Sequence, residues 1–446
     1  MEKNGVQEMN QSGKKYLLIT YYWPPSGGSG VQRWLKFVKY LPAEKWKPVV
    51  YTVKNPEYPS LDHSLEREIP GYATVLKRTI REPYHFYKLF RGMKKEEKIN
   101  TGFLSENKPP ALREKISVWI RGNFFIPDAR RFWIGPSVRY LKRIIRESNI
   151  DLMITTGPPH SMHMIGLKLK RITGLPWIAD FRDPWTKIDY YDSLKLTRRS
   201  DKKHKACEKK VLENADRVLA VSPSMANDFR KITSCEPEVL TNGYDPDDFA
   251  STHTGTINRF SILHLGTMNK DRNHPVFWKV IARLADKNPA FRKQLHLHLI
   301  GKVDYSVLEQ ISLYGLDEYV TREPYVDHEH IMDKLKSAAV LYLPINNTPN
   351  AEMTLTGKLF EYLAAERPVV STGPVHGDAA QILKETGSGS TVDFKDEAGL
   401  EKIFLELFSR YQSGKTELRG KGYEKYSRVN LAKNLSRLME EIVNDD

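Results

Sequence analysis

The chain has 446 residues, too long for one ordinary core and suited to two domains of about 200 residues each. Hydrophobic content of 40% beside 28% charged residues places it among globular proteins, and the two cysteines, Cys207 and Cys235, fit a reducing cytosol and exclude a thiol-based metal site. The net charge of +14 suggests an anionic partner, yet helix-turn-helix, zinc-finger and RNP patterns are missing, and no HxxxH or HExxH spacing offers a histidine metal site.

In chain order, the first fifteen residues are polar, and the apolar stretch Tyr16–Trp23 is too short to span a membrane or direct secretion, so a cytoplasmic location is expected. Tyr16–Tyr22 reads as a strand, Gly30–Leu41 as a helix and Pro48–Val53 as a second strand. A long, irregular, basic stretch then runs to about Asn149, with 18 Lys and Arg against 7 Asp and Glu between Lys77 and Glu147. Trp119, Phe124, Phe125, Phe132 and Trp133 stand among these charges. Basic residues beside apolar ones suit an anionic membrane surface and also nucleic acid; a solvated insertion whose aromatics pack on the main domain is the plainer alternative.

Regular alternation resumes with strand Leu152–Thr155, helix Ser161–Thr173, strand Trp177–Asp180, helix Lys202–Asn214 and strand Arg217–Val221. The turn-rich Pro237–Phe249 marks a boundary. A second series follows: strand Phe260–Leu265, helix Val276–Asp286, strand Leu295–Ile300 and helix Val307–Tyr314, with a helical segment, Leu400–Asp446, at the end. The expected fold class is α/β, two Rossmann-like doubly wound domains facing a cleft. Domain bounds of 1–248, carrying the basic insertion 77–147, and 249–446 follow, with the last helix free to pack back on the first domain.

The richest stretch is Leu343–Val370, which reads as strand, polar loop, helix start and strand. Thr356 and Gly357 open the helix, and Lys358 and Glu361 share one face of it. Free N–H groups and the dipole at a helix start attract phosphate, and Glu361 can accept two hydrogen bonds from a ribose diol; a solvated Lys–Glu pair at i,i+3 is the alternative. Lys270 and Arg272 follow a strand directly, where cations can neutralise the diphosphate of a leaving nucleotide, or form a surface charge pair. Gly27, Gly28 and Gly30 follow the first strand, so their backbone can approach a ligand and offer N–H groups to an anion, or form a plain turn. His160 ends the turn Thr156-Gly157-Pro158-Pro159 at a helix start, placed to bond a sugar or acceptor hydroxyl or only to support the turn. Arg182 and Asp183 follow the next strand; Asp183 can take a proton from an acceptor hydroxyl or pair with Arg182.

The wording GKLFEYLA, together with YYWPPSGGSGVQRWLKFVKYL, DLMITTGPPHS, PWIADFRDPW, AVSPSM and TNGYDPDDF, in that order over roughly residues 15–430, resembles the family 4 glycosyltransferases of bacterial O-antigen and capsule synthesis. The resemblance implies the glycosyltransferase B architecture, transfer with retention, and a nucleotide-sugar donor, commonly a UDP-sugar. It implies a lipid-linked or glycan acceptor met at the inner face of the membrane; no Asp-x-Asp motif stands at the donor site, so no cofactor or required metal is expected. Donor contacts carried over are Lys270, Arg272, Lys358, Glu361, Thr356 and Gly357. The chain departs from the pattern twice: Thr267 stands where many relatives have Arg, and Glu352 lies one residue from the first of the usual paired glutamates. Either Glu352 reaches the donor sugar through a shifted loop or backbone N–H groups of residues 353–356 do so. A nucleotide-sugar epimerase of the same fold and a basic nucleic-acid-binding protein are the alternative functions.

Overall fold

A computed structural model describes residues 13–58, 60–80, 112–250, 257–324, 326 and 328–444. Two parallel sheets organise the chain. In the first, β1 (Lys14–Ile19), β2 (Trp46–Val53), β3 (Thr74–Arg78), β4 (Leu152–Gly157), β5 (Trp177–Phe181), β6 (Arg217–Ala220) and β7 (Glu238–Val239) lie in the order β3-β2-β1-β4-β5-β6-β7. In the second, β8 (Phe260–Leu265), β9 (Leu295–Ile300), β10 (Val320–Glu323), β11 (Val340–Pro344), β12 (Val369–Thr372) and β13 (Gly389–Val392) lie in the order β10-β9-β8-β11-β12-β13. These are two Rossmann-like doubly wound domains. Helices cover both faces of each sheet, which is why the strands are near-continuous apolar runs: Tyr16, Leu17, Leu18 and Ile19 of β1 are all fully buried.

The order of strands locates the ligand sites. The order in which successive strands are added reverses between β1 and β4 in one sheet and between β8 and β11 in the other, and ligands of open α/β sheets bind at the strand carboxyl ends there. The glycine loop follows β1 and the Pro-Pro turn follows β4; Gly266 follows β8 and Ile345-Asn346 follows β11.

The first helix, α1 (Ser29–Tyr40), faces the linker with its basic residues. Arg33 donates to Asp180 Oδ1 at 2.8 Å and to the carbonyls of Leu240 and Thr241 at 2.9 and 2.7 Å, while Lys36 pairs with Asp245 at 2.8 Å. Gly243 is needed in the linker because a Cβ there would lie 2.2 Å from the Tyr426 carbonyl oxygen. The final helix (Arg428–Asn444) returns from the second domain to the first, where Leu431, Leu435 and Met439 pack with Trp34, Phe37 and Trp46.

The basic stretch differs from the sequence expectation of an irregular segment. It contains β3, α2 (Leu112–Phe124) and α3 (Ile134–Glu147), while residues 81–111 of it lie outside the described residues. Trp133 is not a surface aromatic: it is 1% exposed and stacks on Tyr51, centroids 4.9 Å apart. Arg130 is likewise buried, its guanidinium 4.4 Å from the Tyr21 ring. Among the described residues of 112–147, Ile116, Trp119, Ile120, Phe124 and Phe132 are the exposed large hydrophobics. The closing segment is two helices, Glu397–Gln412 and Arg428–Asn444, separated by a loop.

Candidate active site

The candidate donor side is built from three chain segments at the β8/β11 switch point. Gly266 leaves β8 with φ +94°, and the Lys358 side chain lies across it: a Cβ on Gly266 would meet Lys358 Cε at 2.5 Å and Nζ at 2.6 Å. Gly301, at the end of β9 with φ +114°, packs against Gly266 just as closely, a Cβ there falling 2.9 Å from the Gly266 carbonyl carbon. The two glycines let the strand ends approach and open the floor on which Lys358 rests.

Lys358 belongs to α4 (Gly357–Ala364), whose first turn has no side-chain cap; the Leu359 N–H donates to the Thr356 carbonyl at 3.2 Å. Thr356 precedes it in extended conformation without capping the helix, and its Oγ1 is buried with no partner among the described residues. Arg272 comes from the turn after β8. Its Nε donates to Asn346 Oδ1 at 2.7 Å and its Nη1 to the Thr267 carbonyl at 2.8 Å, so the residue where many relatives have Arg now braces Arg272 through its backbone. Burial holds the Lys358 amine well below its usual range; Arg272 adds to this and Glu361 opposes it. Burial also lowers Arg272, which Asp189, Tyr362 and Asp271 oppose. Lys358 and Arg272 thus rest on consecutive residues, Gly266 and Thr267, at the end of β8.

Glu361 lines a cavity of about 30 Å³ together with Gly357, Gln32, Asn242 and Arg428. Arg428, 4% exposed, is pushed down to about 9 by burial and by Arg33, and its Nη1 has no partner among the described residues. Lys270 does not join the cluster; it is exposed and acts on Asp271. Glu352 is exposed too, on a short turn packed against Gly377. The backbone route proposed beside it is half closed, because the N–H groups of Met353 and Thr354 are spent on the carbonyls of Asn350 and Ala351 at 3.1 and 3.2 Å.

Across the cleft, the glycine loop is less free than its sequence suggests. Gly27 N–H donates to the Ser60 carbonyl at 3.0 Å, Gly28 is exposed with φ +88°, and Gly30 makes room for Arg182, whose Nη1 would lie 2.9 Å from a Cβ there. Arg182 donates to the carbonyls of Gly30 and Pro158 rather than to Asp183, clamping the glycine loop to the Pro-Pro turn. Asp183 is exposed, yet the protein around it desolvates its carboxyl and pushes it up to about 6; Arg182 opposes this and Asp189 contributes.

His160 is 7% exposed and stacks on Trp185, centroids 4.5 Å apart and planes 2° apart. Burial, then His163, Arg182 and His204, hold it well below the usual range, so the ring is neutral, and its Nδ1 is buried with no partner among the described residues. It lines a cavity of about 170 Å³ with Trp185, Tyr190, Arg121 and Arg130. The loop after β5 that forms this wall is anchored by buried Glu208, which accepts from the Trp185 and Thr186 N–H groups at 3.2 Å each. Asn346, Gly301, Arg428 and Asp189 were not found by sequence reasoning; only Gly301, a glycine directly after the strand Leu295–Ile300, carried a local signal.

Two Rossmann-like domains, each presenting its switch point to the other across a cleft, define the glycosyltransferase B fold. Two family models match in succession: Glycosyltransferase Family 4 over residues 84–248 and Glycosyl transferases group 1 over residues 259–410. The chain is a glycosyltransferase. Solved structures share the fold over nearly the whole length. The sucrose-phosphate synthase of Thermosynechococcus elongatus has a TM-score of 0.61 at 15% identity, covering 97% of this chain and 100% of that one. A glycosyltransferase of Rickettsia africae has a TM-score of 0.62 at 14% identity, covering 98% and 100%. The Anabaena protein HepE, in complex with UDP-glucose, has a TM-score of 0.53 at 13% identity, covering 97% of each chain. No curated protein matches the sequence.

Proposed function

We propose that this enzyme moves a hexosyl or N-acetylhexosaminyl group, with retention, from a UDP-sugar to a lipid-linked or polysaccharide acceptor in cell-surface glycan synthesis, working at the inner face of a membrane. The observation that carries this reading is that Lys358 of α4 lies across Gly266 while Arg272 bonds the carbonyl of the next residue, Thr267, so that two basic side chains converge at the end of β8, where a diphosphate would be held. Glu361, on the same helix face, takes the ribose diol. The UDP-glucose bound by HepE supports UDP as the nucleotide.

The acceptor hydroxyl enters from the first domain, with neutral His160 as its hydrogen-bond partner in the cavity beside Trp185. Its oxygen attacks the anomeric carbon from the face the diphosphate leaves, the bond from that carbon to the phosphate oxygen breaks, and the hydroxyl proton passes to the departing phosphate. Arg272 and Lys358 hold the charge that develops, so no metal is required. The exposed Ile116, Trp119, Ile120 and Phe124 of α2, beside basic residues, support contact with an anionic bilayer. Among the described residues, no helix is long and apolar enough to cross one.

A panel of nucleotide-sugars read by thermal shift tests the proposal, since a ligand that binds only the folded state raises its apparent stability. UDP-sugars are expected to raise the melting temperature. No response to any nucleotide-sugar would sink the reading.

A further inference from the structure

The two domains are joined across the cleft by a relay that begins at Asp189, on the loop between β5 and the helix Arg198–Asn214. Asn346 Nδ2 donates to Asp189 Oδ2 at 2.8 Å, and Asn346 Oδ1 accepts from Arg272 Nε at 2.7 Å. Asn346 is 6% exposed, so water offers its amide little alternative. Only one amide orientation satisfies both neighbours, because the reverse would set the NH2 group against a guanidinium and the carbonyl against a carboxylate. With Nε and Nη1 of Arg272 bonded to Asn346 and Thr267, Nη2 has no hydrogen bond among the described residues and can meet a ligand.

We propose that Asp189 is a positioning residue that latches the first domain onto Asn346 and, through it, aims Arg272 at the donor diphosphate. The inference rests on the reading of Arg272 as a diphosphate ligand. It deepens that reading, because the Asp189 loop also supplies Trp185, Ile188, Tyr190 and Tyr191 to the wall of the acceptor-side cavity. Filling that cavity sets the loop, the loop sets Asp189, and the amide of Asn346 carries the setting to Arg272. Acceptor and donor sites are thereby coupled, and by linkage the coupling runs both ways.

The test uses UDP as the probe and four proteins: wild type, Asp189→Ala, Asn346→Asp and the double variant Asp189→Asn/Asn346→Asp. Loss of a hydrogen bond to a charged group is expected to weaken UDP binding about tenfold in Asp189→Ala. Asn346→Asp, which faces one carboxylate with another, is expected to lose at least as much. The double variant exchanges donor and acceptor: Asn at 189 donates to Asp at 346, which still accepts from Arg272, and affinity is expected to recover to within about threefold of wild type. Fluorescence energy transfer between labels on the two domains, without ligand, is expected to show a smaller closed population in Asp189→Ala. Wild-type protein that binds no UDP would defeat the donor reading and leave the energy-transfer arm to decide the latch. Equal closed populations in wild type and Asp189→Ala, or a double variant no better than Asn346→Asp, would overturn the latch.

Discussion

The Lys358 ammonium occupies space that a side chain on Gly266 would need, its Nζ only 2.6 Å from the position of a Cβ there. In the proposed donor site, binding therefore depends on a residue with no functional group of its own. Gly266→Ala is expected to push Lys358 off the floor of the site and weaken UDP binding about tenfold or more, a loss equal to one charge-assisted contact. Lys358→Ala and Glu361→Ala are each expected to abolish most transfer while circular dichroism stays that of the wild type. Wild-type donor affinity in Lys358→Ala would show that the donor site lies elsewhere.

Arg33 and Asp180 form an ion pair in which both side chains are fully buried. Burial alone would raise the Asp180 carboxyl, but Arg33, with hydrogen bonds from Trp34 and Thr156, outweighs it and holds the carboxyl below its ordinary value of 3.8. The pair's contribution is therefore present above pH 3.8 and is lost as pH falls below it. Arg33→Ala leaves a buried carboxylate unpaired and should cost about 3–5 kcal/mol in urea unfolding at pH 7. The cost should shrink in acid; a neutral result at pH 7 would show that water reaches Asp180.

Transfer is expected to persist in excess EDTA, because the proposed site meets the phosphate charge with Arg272, Lys358 and the start of α4. Activity lost in EDTA and restored by magnesium or manganese would count against that arrangement.

Membrane contact is expected to depend on Trp119, Phe124 and Phe132, which are 39%, 60% and 54% exposed, and on exposed Arg131, rather than on buried Trp133 and Arg130. Replacing the three aromatics by Ser and Arg131 by Glu should reduce sedimentation with anionic vesicles, with each basic residue near the surface worth about 1 kcal/mol. UDP binding should be unchanged. Equal binding to neutral and anionic vesicles would return this face to a solvated insertion.

The sequence by itself carried the alternation of strands and helices, the helix start at Gly357 and the common face of Lys358 and Glu361. Periodicity, turn residues and i,i+3 spacing are local and readable without coordinates. It could not tell that Trp133 and Arg130 of the basic segment face inward, because an aromatic among arginines looks the same whether it faces water or, like Trp133, stacks inside on Tyr51. Only the tertiary structure decided that Arg182 clamps two loops instead of pairing with its neighbour Asp183, and that Arg33 answers a carboxylate 147 residues away. The same is true of the relay from Asp189 to Asn346 to Arg272, whose members are 157 and 74 residues apart. Hydrogen bonds of such separation are set by which strands lie beside the switch point and how closely the domains meet, and that order of strands exists only once the sheets have formed.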